Sequence, residues 1–286
     1  MQLQFDNLAI SSFYLWLDNR VLSKGAAYSN YASPLYPMQD AFNGLFSYSL
    51  PFKQIVSDSS ISSANVMTGI YLNGNLIPTG VSGLFDINYA EGQVYFTQNV
   101  DSHALSGNYA VKDFNIYLTS EPDYKILFET QYKIRQKTSV GQAALATNEL
   151  TIPALFIRPS NSEDKPFAFG GQEKTEITLR VVILADSQYL LDAISSILRD
   201  SKNQIIPILT ESALPFNNYG GFKNSSYSYD SIRSSHGSNP NVLYIDSVSV
   251  SRFNSQSVVL TELKNINPSV YVGLADFELC AYRTLP

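Results

Sequence analysis

Over much of this chain apolar and polar residues alternate at a period of two, the spacing of half-buried strands. Val111–Leu118 and Ile126–Ile134 follow it, and Ile177, Leu179, Val181 and Ile183 share one face of a strand over Thr175–Leu184. Phe13–Leu17 is a short apolar run closed by Asp18 and Asn19, and it reads as a strand. Gly69–Leu72 runs into Asn73-Gly74, a pair that tolerates positive φ and so predicts a hairpin with a type I′ turn. Asp86–Tyr89 and Gln93–Phe96 flank Ala90-Glu91-Gly92, the mark of a type I turn with a G1 bulge. Ile205–Leu209 is a further strand, which Pro207 confines to an edge or bulge. Val242–Val250, Ser257–Leu263 and Val270–Tyr282 close the chain as three more.

One segment changes period. Leu190, Leu191, Ile194, Ile197 and Leu198 lie on a single helical face. Asp186 is placed to cap that helix and Asp200-Ser201 to end it. Residues 138–149 have weaker strand character and are a candidate for a short helix. The expected fold is mainly β, sandwich or barrel-like, with one helix near 187–199 packed on a sheet. Its apolar face should meet Ile177, Leu179, Val181 and Ile183. A second unit follows Pro153 and the polar stretch Pro159–Pro166, so the expected division is a β-rich domain over 1–150 and a second over 151–286. The alternative is one continuous sandwich with the helix inserted.

Two long segments, 23–50 and 214–240, fit neither period. Both set aromatic rings among Ser, Asn, Gly and Pro, and loops of that length are uncommon in a compact domain unless they bind something. Tyr, Ser, Gly and Asn together are the palette of binding loops, because Tyr adds contact area at low entropic cost. The candidate interface residues are therefore Tyr28, Tyr31, Tyr36, Phe216, Tyr219, Phe222, Tyr227 and Tyr229. Packing of these rings onto their own domain is the competing use.

Composition narrows the chemistry. The 286 residues include 19 Tyr and 16 Phe but only 2 His and 1 Cys, and the net charge is −6. That charge argues against a duplex nucleic-acid binder, which needs a basic stripe. Lys133, Arg135 and Lys137 alternate and mark one exposed strand face. A single Cys280, in an apolar run, excludes an intrachain disulfide and reads as an inert buried thiol. The Met1–Asp6 start lacks the basic and apolar regions of a signal peptide, and no stretch has the length of a membrane span.

No catalytic set assembles from the motifs. Gly170–Thr175 resembles the end of a phosphate-binding loop, but Glu173 stands where that loop needs Gly, and strand residues follow it. His103 and His236 lie apart in polar turns with no second ligand at metal spacing. Glu121/Asp123 and Glu163/Asp164 are close in sequence, which says nothing of convergence across a cleft. No catalytic, cofactor-binding or metal-ligating residue is assigned.

From Pro166–Gly171, through Thr175 and Leu179–Asp186, the chain resembles virion structural proteins of tailed bacteriophages. The likeness continues at Tyr189–Ala193, Ser196–Asp200, Ile206-Pro207 and Pro215–Asn217, and in the first half at Gly69–Gly74 and Ile87–Phe96. The resemblance is to neck, head–tail connector and tail-completion proteins. It implies a non-enzymatic subunit of an oligomeric ring, without cofactors, whose partners are itself and other neck or tail proteins, and whose place is the virion. The alternative is a baseplate or tail-tip module that binds a host surface glycan.

Overall fold

The computed structural model describes residues 4–38, 44–129, 132–134, 150–168, 171–216, 226–236, 241–253, 258–266 and 270–284. In chain order these form α1 (Phe5–Gly25), β1 (Tyr28–Pro34), β2 (Tyr36–Pro37), β3 (Phe46–Ser49), β4 (Gly69–Leu72), β5 (Asn75–Pro78), β6 (Leu84–Asn88), β7 (Gln93–Phe96), β8 (Leu105–Lys112) and β9 (Asn115–Leu118). A π-helical turn over Lys125–Glu129 follows, then β10 (Tyr132–Ile134), β11 (Leu150–Ile152), β12 (Ala154–Ala168) and β13 (Gln172–Ala185). The chain closes with α2 (Gln188–Arg199), β14 (Ile205–Pro207), α3 (Tyr229–Ser235), β15 (Val242–Arg252), α4 (Val258–Ile266) and β16 (Tyr271–Thr284). The fold is mainly β, as the alternation predicts.

Two four-stranded sheets, ordered β1-β8-β4-β5 and β2-β3-β7-β6, enclose a core of Leu50, Phe52, Ile70, Ile87, Val94, Phe96 and Tyr109. Both predicted hairpins are present. Asn73 and Gly74 sit at φ 50° and 83° between β4 and β5, and Gly92 sits at φ 63° before β7. The larger sheet has six strands in the order β14-β15-β16-β13-β12-β9. One face carries Ile177, Leu179, Val181 and Ile183 against Leu191, Ile194 and Leu198 of α2, together with α1. The other face is covered at one end by α4 and the π-turn, through Leu263, Ile126 and Leu127 against Phe156, Val182 and Val272.

Several expectations change. Phe13–Leu17 belongs to α1, a helix of 21 residues, in which every residue from Ser12 to Asp18 is buried. A helix enclosed on all sides shows no amphipathic stripe, and a short apolar run then cannot be told from a strand by period. Ser257–Leu263 falls on α4, where Val259 and Leu263, four apart, face the same core. Ser187, not Asp186, caps α2, its Oγ accepting from the Leu190 N–H. Ile126 lies in the π-turn, and Val111–Leu118 splits at Asp113-Phe114, so β8 stays in the first sheet while β9 pairs in parallel with β12 in the larger one. Pro207 does lie in an edge strand. The candidate helix at 138–149, and Arg135 and Lys137, lie outside the described residues.

Phe13, Leu15, Leu17 and Ile116 thus share one core with Leu179 and Phe277. Residues from either side of position 150 build the larger sheet and its packing.

Candidate interaction surface

Among the expected interface residues, Tyr227 and Tyr229 are buried, with 7% and 2% of their surface exposed. Tyr227 is pinned by a bridge to Asp58: its carbonyl accepts from the Ser59 N–H at 2.7 Å, and its own N–H donates to the Ser57 carbonyl at 3.0 Å. These two rings hold their own segment onto the fold. Tyr28, Tyr31, Tyr36 and Phe216 are half-buried. Tyr28 donates its hydroxyl to the Ser62 carbonyl at 2.6 Å. The Tyr31 ring lies 4.8 Å from Phe52, and Phe216 meets Tyr14 edge-on at 6.0 Å. Tyr219 and Phe222 lie outside the described residues.

A different aromatic set is presented to solvent. Beyond Ile157, β12 loses its β9 neighbour, and among the described residues no strand pairs its outer edge from there to Ala168. From Ser160 to Ala168 every residue is exposed. The β12–β13 hairpin turns at Gly171, φ 82°, so the phosphate-loop look-alike is a hairpin turn with no helix behind it. On this arm Phe167 packs on Tyr282 at 4.6 Å, and Tyr282 meets Tyr244 edge-on at 6.0 Å. The three rings remain 55%, 41% and 36% exposed. The sequence carries a signal for Tyr282. Ala275, Phe277, Leu279 and Ala281 take the core face of β16, so Tyr282 has the parity of Asp276 and Glu278 on the open face.

That open face is otherwise a ladder of ion pairs. Arg180 binds Asp276 through two hydrogen bonds of 2.7 and 3.0 Å and reaches Asp123 at 3.0 Å. Lys165 and Lys174 flank Glu176 at 2.6 and 2.9 Å. Their hydrogen bonds, Lys165's first, hold the Glu176 carboxyl at about 2. The same contacts raise both lysines, and Arg180 is raised by Asp276 and then Asp123. Asp164 is lowered by the Thr175 hydroxyl and by Arg283. The carboxylate pairs of the sequence are therefore divided among separate cations: Glu121 goes to Lys125, Asp123 to Arg158 and Arg180, Glu163 to Lys165 and Asp164 to Arg283. Cys280, 1% exposed on this sheet, has its thiol pushed up to about 11 by burial.

A dense cluster of titratable side chains in the interior joins α1, β8 and the segment before α3. Lys112 Nζ lies 2.6 Å from Asp18 Oδ1, with the two side chains 1% and 0% exposed. Tyr227 Oη lies 3.5 Å from Asp18 Oδ2. Asp58 accepts from Asn19 Nδ2 at 2.8 Å, the Ser60 hydroxyl at 2.6 Å and the Tyr229 backbone N–H at 3.0 Å. Burial raises the Asp18 carboxyl against the lowering pull of Lys112, and the charge of Asp58 adds to the rise. Burial likewise keeps the Tyr227 hydroxyl protonated. The surface hollows at Pro37–Asp101, Asn7–Pro159 and Ile205–Val242 are lined by other residues.

His103 bonds Asn73 at 2.9 Å, and His236 caps α3 beside Thr210. Among the described residues no group of His, Cys, Asp and Glu is placed to hold a metal, and no helix is long and apolar enough to cross a membrane. The chain matches no protein-family model, and no curated protein matches its sequence.

Proposed function

We propose that this chain is a non-enzymatic structural subunit that assembles through its own surface, as a ring component joining neighbouring parts of a tailed-phage neck or tail. The observation that carries the reading is the β12–β13 arm, with Phe167, Tyr282 and Tyr244 exposed in a contiguous row. Contiguous exposed rings with a charged rim are the composition of a contact patch. Pro159, Pro166 and Lys165 make the arm's edge a poor template for strand addition, so contact falls to the face. A head-to-tail contact between an arm and the body of the next copy closes a ring when its rotation permits. Placement in a virion rests on the resemblance over Pro166–Asn217 and, in the first half, at Gly69–Gly74 and Ile87–Phe96.

The test is the mass of the purified protein by light scattering, together with mass spectrometry of particles from its source. A ring-sized mass, or presence in particles, is the expected result. A monomer absent from particles overturns the reading.

The same row of rings suits a second reading, stacking on the faces of a host glycan. Glycan-array binding lost in Tyr282→Ala, with the solution mass unchanged, selects it.

A further inference from the structure

Asp18, Lys112 and Asp58 are sealed from solvent, so the chemistry open to them is chemistry with one another and their immediate neighbours. The geometry points to an intramolecular isopeptide bond between Lys112 and Asp18, a covalent tie from the middle of α1 to the end of β8. The amine nitrogen already rests 2.6 Å from one carboxyl oxygen, and neither side chain exceeds 1% exposure. The other oxygen, Oδ2, has the Tyr227 hydroxyl at 3.5 Å. A second carboxylate, Asp58, is fixed by Asn19, Ser60 and the Tyr229 N–H. Its charge opposes ionisation of Asp18, as burial does.

The step balances without an outside reagent. A proton moves from the ammonium to the carboxylate along the existing 2.6 Å hydrogen bond, leaving a neutral amine and a neutral acid. The Nζ lone pair then adds to Cγ, and the C–N bond forms. Charge developing on Oδ2 is met by the Tyr227 O–H, an oxyanion-type contact. The bond from Cγ to Oδ1 breaks, and Oδ1 leaves with the proton lost from Nζ as water. One amine and one acid give one secondary amide and one water, with nothing oxidised or reduced. Fixed proximity supplies the effective concentration that the same groups lack in solution, and the product exchanges a buried ion pair for a neutral amide. Exclusion of water protects that amide from hydrolysis.

The experiment is the intact mass of the folded, then denatured, wild-type chain, followed by peptide mapping. The expected result is a mass lower by one water and a branched peptide joining the segments that hold Asp18 and Lys112. Lys112→Arg, which keeps the charge but cannot form the amide, should retain the full mass. A wild-type protein at full sequence mass after prolonged incubation overturns the proposal. So does a water loss that maps to a succinimide at Asp18-Asn19 with Lys112 unmodified. The deciding readout is the wild-type protein's own mass, so no variant has to fold for the answer to be clear.

Discussion

Arg180 and Asp276 meet as a fork on a fork, Nε to Oδ1 at 2.7 Å and Nη2 to Oδ2 at 3.0 Å, directly across the β13–β16 pairing. The remaining guanidinium nitrogen holds Asp123, which precedes the π-turn, so one side chain fastens a connecting segment to the sheet. Both partners of the fork are about one-third exposed, so solvent screening trims its worth. Arg180→Ala should cost about 1–2 kcal/mol in chemical denaturation. Arg180→Lys, which keeps the charge but loses the planar fork, should recover less than half of it.

Ile194 lies at 1% exposure between α2 and the Ile177–Ile183 face of β13. Ile194→Asp places an unpaired charge there and should destabilise by roughly 3 kcal/mol or more. An unchanged melting temperature would mean that α2 is not docked on this sheet.

Gly74 and Gly92 both hold positive φ in hairpin turns, yet their surroundings differ. A Cβ at Gly74 meets nothing within 4 Å, whereas one at Gly92 comes 2.0 Å from the Phe52 carbonyl oxygen. Gly74→Ala should cost about 1 kcal/mol of backbone strain alone. Gly92→Ala adds displacement of a backbone segment and should cost at least twice as much, measured by urea unfolding of the two variants side by side.

The hairpins, α2 and its sheet face were legible because each signal is local: a turn dipeptide, a period, a proline. What was hidden depends on distant partners. Phe13–Leu17 reads as a strand because an enclosed helix has no polar side to betray its period. Tyr227 looks like a binding-loop ring, and only the fold reveals Asp58 and Asp18 waiting for it. Tyr282 was within reach, since its parity in β16 opposes Phe277 and Leu279, but Phe167 and Tyr244 join it only through strand pairing. Lys112 and Asp18 stand 94 residues apart, and no sequence pattern joins them.

Glu176 gives the open face a pH signature. Its carboxyl is held at about 2 against an ordinary 4.5, chiefly by hydrogen bonds from Lys165 and Lys174. The folded chain therefore binds this proton less readily than the unfolded chain. The stabilisation is present above about 4.5 and lost as pH falls toward 2. Asp164, lowered by Thr175 and Arg283, acts in the same direction. The melting temperature should fall across this acid window, and Glu176→Gln should flatten part of the fall. High salt should shrink the difference between the two proteins, because these pairs are exposed.

The Phe167–Tyr282 contact separates a ring row made for a partner from one that only steadies the arm. Each ring is more than two-fifths exposed, so Phe167→Ala with Tyr282→Ala should change stability by no more than about 1 kcal/mol. A patch at the heart of an assembly contact behaves otherwise, because a few central aromatics carry most of the binding energy. Sedimentation velocity at matched concentrations should show the double variant shifted to smaller species. Tyr189→Ala provides the comparison: that ring is 79% exposed and belongs to α2, which packs on the opposite face of the sheet. It should leave the distribution as in the wild type. If the double variant associates as the wild type does, the arm face is not the contact between copies.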